Sequence, residues 1–166
     1  MIIKVQDTSQ KQIFINDITF KLQELGHETL TNDSEINFQG RRINLEAFEQ
    51  IKKRDPNNPH IIELKEISLK NQLEKIDKSD IILICNEKYD IIPPSVIIDI
   101  IIAYYKIKSV YFFNKPERSR NTFYDEFIGM NLKYLDGDFK KFIDFLKVIE
   151  LTLVKPSKRV KLSRKQ

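Results

Sequence analysis

Cysteine is nearly absent from this chain of 166 residues: there is one, Cys85. A lone thiol excludes an internal disulfide framework and fits a reducing, cytoplasmic setting. It sits in IILIC among aliphatic residues, so it reads as a small buried hydrophobe. Long apolar runs are missing too. None approaches the ~20 residues of a spanning helix, and no membrane partner is expected. The opening MIIKVQDTSQ has no basic segment followed by a long apolar stretch, so no secretory signal is expected. Histidine is scarce. His27 and His60 lie far apart and neither belongs to a ligand-spaced cluster, so no metal is expected.

A body-wide excess of positive charge is also lacking. The chain carries +4, but its last 12 residues, KPSKRVKLSRKQ, hold six Lys or Arg and no acid. The other 154 residues carry 22 basic and 24 acidic side chains, a net of −2. A general nucleic-acid-binding surface is therefore not indicated, and the tail is a separate question.

What is present is the pattern of one α/β domain, placed at 1–154 with a basic tail at 155–166. MIIKV (1–5) reads as a buried strand, followed by the polar turn QDTSQ. From about residue 10 to 25, Phe14, Ile18, Leu22 and Leu25 fall on one helical face, and Gly26 is a natural stop. HETL (27–30) is a second short strand. Residues 31–59 are loop-like, with a short helix at about 45–53. Helical spacing returns over 61–78, where Ile62, Leu69, Leu73 and Ile76 share a face. DIILIC (80–85) is a strand of the kind buried on both sheet faces. SVYFF (109–113) and LKYL (132–135) are further strands, with a short helix around 124–129 between them. A last helix from about Asp138 turns Phe139, Phe142, Ile143, Leu146 and Ile149 inward.

The run from Val96 to Tyr105 is rich in β-branched residues, which favours a strand. It also lies between two apolar strands whose parallel pairing needs a crossover of a dozen or more residues. Pro94 and Ser95 fit a helix start, with Ser95 as N-cap, so a buried helix is expected. The sum is a flavodoxin-like, doubly wound sheet of about five parallel strands flanked by helices. Such sheets bind ligands beyond the carboxyl ends of the strands, near the switch in strand order.

That rule selects four loops, at 6–10, 32–34, 86–95 and 114–121. Asp7, Thr8, Ser9, Asn86, Asp90, Ser95 and Asp99 are the polar groups expected to gather there. Asp99 is the anomaly, a carboxylate inside an apolar run. Near the first turn of its helix, the dipole would favour its charge by ~0.3–1 kcal/mol. An ionised carboxylate on the floor of a cleft can serve as nucleophile or acid–base group. Alternatively, Asp99 caps backbone amides or pairs with Lys106 or Lys108.

The segments KLQELGHETL, LEKIDKSDIILICN, PPSVIIDIIIAYYKIKSVYFFN, YDEFIGM and YLDGDF occur in an order that resembles nucleoside 2-deoxyribosyltransferase-like proteins, including deoxynucleotide N-glycosidases. The resemblance spans roughly residues 1–149. It implies cleavage or exchange of the N-glycosidic bond of a deoxynucleoside or deoxynucleotide, without a cofactor, in a homo-oligomer. It implies that Asp99 stands where the family has a nucleophilic glutamate, and that Pro93–Val96 replace its Gly-x-Ser/Thr region. Asp90 or Asp7 would protonate or hold the leaving base. Ser95 and Thr8 would bind sugar or phosphate oxygens, and Asn86 would orient the sugar or nucleophile. The chain departs from the family in several ways. Aspartate is one methylene shorter than glutamate, the usual glycines are missing, and Ile100, Ile101 and Ile102 replace small residues.

Three functions follow: a deoxyribosyltransferase or N-glycosidase, an inactive relative that binds nucleotides or proteins, or a nucleic-acid-associated accessory protein. The third rests on the tail. SKRVKLSRK reads as a solubilising tail, a phosphate-binding arm for nucleic acid, or a nuclear import signal. No aromatic residue interleaves its basic ones, so base stacking by the tail is not expected.

Overall fold

The structure is a computed structural model that describes residues 1–8, 12–120, 130 and 132–153. Ser9, the helix expected around 124–129 and the tail at 155–166 lie outside the described residues.

The described chain runs β1 (Ile2–Asp7), α1 (Gln12–Glu24), β2 (Glu28–Leu30), β3 (Glu35–Phe38), β4 (Arg41–Asn44), α2 (Leu45–Arg54), α3 (Pro59–Lys78), β5 (Ile81–Cys85), α4 (Pro94–Tyr105), β6 (Ser109–Phe112), β7 (Leu132–Tyr134) and α5 (Phe139–Leu153). Five strands form one parallel sheet in the order β2-β1-β5-β6-β7. This is the flavodoxin-like, doubly wound arrangement. The chain steps outward from β1 to β2, then returns to the other side of β1 to build β5, β6 and β7. The switch in strand order therefore falls between β1 and β5.

Each face of the sheet has its own core. On one, Ile3, Val5, Ile81, Leu83 and Tyr111 pack against Ile15, Ile18 and Leu22 of α1 and Phe142 and Leu146 of α5. On the other, Ile82, Ile84, Val110 and Phe112 pack against Ile76 of α3 and Val96, Ile100 and Ala103 of α4. The side chains of β5 alternate between these cores, so the whole strand is buried, and only an uninterrupted apolar run satisfies both. The run at 96–105 is helical, as the crossover between β5 and β6 requires.

Between β2 and α3 the chain inserts the antiparallel hairpin β3–β4 and the helix α2. Ile36, Phe38 and Phe48 of this insertion cover Ile61 and Leu64 on the first half of α3, making a third small core. This corrects the face expected for α3. Ile61 and Leu64 point inward, while Ile62 and Leu69 are exposed. The helix packs on the insertion at one end and on the sheet at the other, so no single stripe serves both. Leu25 is also exposed, because it follows the last turn of α1 rather than belonging to it. The inward face expected for α5 is present: Phe142 and Leu146 are buried, and Phe139, Ile143 and Ile149 pack beside them.

A ligand cleft and the Lys4–Asp99 pair

Beyond the carboxyl end of β1, a cleft of about 460 Å³ opens between the end of that strand and the loop after β2. Its volume suits a small molecule. Asp7, Thr8, Thr31, Asn32, Asp33 and Ser34 supply its polar lining, while Val5, Ile15 and Pro93 supply an apolar wall. The loop after β2 is held from outside. Lys75 Nζ donates to the Thr31 carbonyl at 2.6 Å and to Asp33 Oδ1 at 2.6 Å, and Asn71 reaches Asp33 Oδ2 at 3.5 Å.

Thr8 lies beside this cleft at the strand-order switch. Its hydroxyl donates to Asp90 Oδ2 at 2.8 Å, and the same oxygen accepts the Glu87 amide at 2.8 Å. Asp90 thereby closes the turn after β5 and ties it to the end of β1. Asn86 is buried and joins β5 to β6. Its Nδ2 donates to the Asn114 carbonyl at 2.8 Å and its Oδ1 accepts the Asn114 amide at 3.1 Å. Asn114 returns the contact, its Nδ2 donating to the Asn86 carbonyl at 2.7 Å. The Asn86 amide is thus occupied in bracing two strand ends.

Asp99 is elsewhere. It is the sixth residue of α4, in the second turn rather than near the first, where the dipole has largely faded. Helical spacing puts it on the inward stripe with Val96 and Ala103, all of them buried. There it meets Lys4. Side chains alternate along β1, so Lys4 and Gln6 point to the α4 side while Ile3 and Val5 point to the α1 side. Lys4 Nζ lies 2.6 Å from Asp99 Oδ2 and 3.3 Å from Gln6 Oε1. The Lys4 and Asp99 side chains are 0% and 1% exposed. Burial pulls the Lys4 ammonium below its ordinary value of 10.5; Asp99 opposes this, and Lys75 adds to it. Asp99 Oδ1 is buried with no hydrogen-bond partner among the described residues.

The structure therefore brings together some of the expected site residues and separates others. Thr8 and Asp90 touch, and Asp7 lines the same cleft as Thr8. Asp99 is not among the residues lining that cleft. Its partner is Lys4, not Lys106 or Lys108. Lys106 pairs with Asp77, and Lys108 Nζ donates to the carbonyls of Asp77 and Ser79. Ser95 is not the N-cap. That position is Pro93, with no side-chain cap, and Ser95 is exposed and lines a separate hollow with Phe48 and Leu69 rather than the cleft beyond β1. Pro94 at the first helical position has no N–H to satisfy, and the Pro93 carbonyl accepts from the amides of Val96 and Ile97.

Sequence reading missed Lys4, whose partner lies 95 residues away. The signal was there: a lysine within a strand buried on both faces is as anomalous as an aspartate within a buried helix. Two such charges of opposite sign in neighbouring elements explain each other. Asp33 was missed because the carboxylate stands in a loop with no pattern of its own. Cys85 matches its expected role, since burial raises its thiol far above the usual range and leaves it inert. Among the described residues no group of three potential metal ligands occurs, and no helix is long and apolar enough to cross a membrane.

No protein-family model matches the chain, and no curated protein sequence matches it. Among solved structures it is similar to a CMP N-glycosidase, BcmB, of Clostridium botulinum, with a TM-score of 0.45 and 15% sequence identity. That likeness covers 87% of this chain and 98% of the other.

Proposed function

We propose that the chain is a nucleoside-binding module on a nucleoside 2-deoxyribosyltransferase-like scaffold, without glycosidic cleavage by Asp99. One observation carries the reading: the carboxylate in the nucleophile's place is 1% exposed and bonded to Lys4, while the cleft is lined by other groups. Attack on an anomeric carbon needs a carboxylate oxygen within about 3–3.5 Å of it. Asp99 has one oxygen against an ammonium and the other enclosed. Removing Lys4 from it would leave a buried cation without a counter-charge.

The chemistry of the cleft favours a particular ligand class. Asp7, Asp33 and Thr8 offer oxygen atoms, and the nearby cation Lys75 is already paired with Asp33. Such a lining suits a molecule that donates hydrogen bonds through hydroxyl or amino groups, and with no Lys or Arg among its residues it offers a phosphate no cation. Val5, Ile15 and Pro93 provide an apolar surface for a flat base. A deoxynucleoside meets these demands better than its 5′-monophosphate.

Calorimetric titration with the four common deoxynucleosides and their 5′-monophosphates tests this. At least one nucleoside should bind more tightly than its own monophosphate. Asp7→Asn should weaken that binding about tenfold, the loss expected for one charge-assisted hydrogen bond. Absence of nucleoside binding, or preference for the monophosphate, would overturn the assignment.

A further inference from the structure

The loop after β2 holds a carboxylate that the scaffold fixes without using it up. This short loop joins Leu30 of β2 to Glu35 of β3, so a strand anchors each of its ends. Lys75 of α3 fixes its middle, with Nζ 2.6 Å from the Thr31 carbonyl and 2.6 Å from Asp33 Oδ1. Asn71, one turn earlier on the same helix, donates to Asp33 Oδ2 at 3.5 Å. Asp33 lines the cleft, whereas Lys75 and Asn71 are not among the lining residues. The two side chains of α3 therefore hold the carboxylate from outside the cleft. An ionised carboxylate has about four acceptor positions, and these two bonds take two of them.

A carboxylate held in this way is a ready acceptor for two neighbouring hydroxyls. Ordering a side chain on binding costs affinity, and Asp33 is ordered beforehand. Its place in the fold has a precedent by analogy. In doubly wound dinucleotide-binding folds, an acidic residue about 20 residues beyond the first βα turn accepts from the ribose 2′-hydroxyl. Asp33 holds the corresponding place, shortly past the end of β2. The rest of the lining sets the direction of the ligand. Val5, Ile15 and Pro93 make the apolar wall on the β1 side, and the loop after β2 makes the polar wall opposite. A base laid on the first wall carries its sugar toward the second.

We infer, resting on the nucleoside reading of the cleft, that Asp33 selects the sugar. It accepts from the 2′- and 3′-hydroxyls together, so the cleft prefers a ribonucleoside to its 2′-deoxy counterpart. Cis hydroxyls on adjacent carbons can donate to one carboxylate as a pair. A 2′-deoxyribose keeps only the 3′-hydroxyl and loses one charge-assisted bond. Where the acceptor is sealed from water, such a loss is worth about 10⁴–10⁵-fold. Asp33 is 38% exposed, so water fills the missing position. Discrimination of about tenfold is then expected. This preference is the reverse of the sugar that the resemblance to nucleoside 2-deoxyribosyltransferase-like proteins implies.

Calorimetric titration of the full chain with the common ribonucleosides, their 2′-deoxy forms and their arabino epimers tests this. For the base that binds best, the ribonucleoside should bind about tenfold more tightly than the 2′-deoxynucleoside. The arabinonucleoside, with its 2′-hydroxyl on the opposite face of the ring, should bind no better than the 2′-deoxy form. Asp33→Asn keeps an oxygen for Lys75 and should shrink the ribose advantage to about twofold or less. A purely structural role for Asp33 would instead weaken both sugars alike and leave their ratio unchanged. Equal binding of ribo- and 2′-deoxynucleosides by the wild type, or a ribose advantage that survives in Asp33→Asn, would overturn the inference and leave the nucleoside reading standing. If no nucleoside of either sugar binds, that reading falls with it.

Discussion

Replacing Asp99 by alanine should destabilise the fold severely, which is not what loss of a nucleophile does. The pair lies 2.6 Å apart with both side chains out of water. At an effective dielectric constant of about 20, the attraction at that distance is roughly 6 kcal/mol. Desolvation of the two ions costs several kcal/mol each, so the intact pair contributes little net stability. Asp99→Ala removes the attraction and leaves Lys4 buried, costing about 3–5 kcal/mol. For a domain of this size each kcal/mol lowers the melting temperature by about 2–4 °C, so a drop of roughly 6–20 °C is expected. Lys4→Met alone should cost a similar amount by stranding Asp99. Lys4→Met combined with Asp99→Leu should return close to wild-type stability, because two apolar groups replace two charges. Urea unfolding of the four proteins gives the cycle. pH supplies a further check. Burial already holds Lys4 below 10.5 in the folded state, and without Asp99 it should fall further. Between the folded and unfolded values the unfolded chain binds the extra proton, so Asp99→Ala should regain stability as pH rises from neutral toward 10.5. If Asp99→Ala unfolds at the wild-type midpoint, or gains stability, the pair is not structural and the reasoning fails.

Two other perturbations follow from single contacts. Asn86→Ala removes the amide that braces Asn114 and should cost about 2 kcal/mol, or roughly 4–8 °C, with the deficit visible in thermal melts; an unchanged melt would refute its bracing role. His27 is buried with Nδ1 3.6 Å from Glu150, and burial holds its imidazole below 6.5 despite the carboxylate. The unfolded chain therefore takes up this proton first as pH falls, and stability declines from 6.5 down to the folded-state value. Urea midpoints of wild type and His27→Asn across that range should show a smaller decline in the variant; equal declines would exclude His27 as a source.

Much of the scaffold was legible because its signals are local or nearly so. IILIC reads as a doubly buried strand, Gly26 as a helix stop, and the connection from β5 to β6 as helical by length alone. The hairpin β3–β4 was not legible. Its turn places Gln39 and Gly40 at φ 49° and 77°, a conformation usually announced by Asn-Gly or Asp-Gly, and its strands are four residues each. The inward face of α3 was misread for the same reason, since the hairpin decides it. At the site, the loops were found from topology, but pairing was not. Asp99 and Lys4 were each visible as a charge in an apolar element, yet nothing in the spacing of either strand or helix states which partner it meets. Ile107, at φ 59°, was unreadable as a strained position, because only the backbone reveals that α4 ends in a left-handed cap, with Lys108 N donating to the Ala103 carbonyl at 2.8 Å.

The most direct test of the central claim is release of free base from the common deoxynucleosides and their 5′-monophosphates, followed chromatographically with the wild type and with Asp99→Asn. With Asp99 bound to Lys4, neither protein should release base above the uncatalysed rate. Sustained release by the wild type that disappears in a folded Asp99→Asn variant would contradict the account, and would mean that Asp99 leaves Lys4 to reach a sugar.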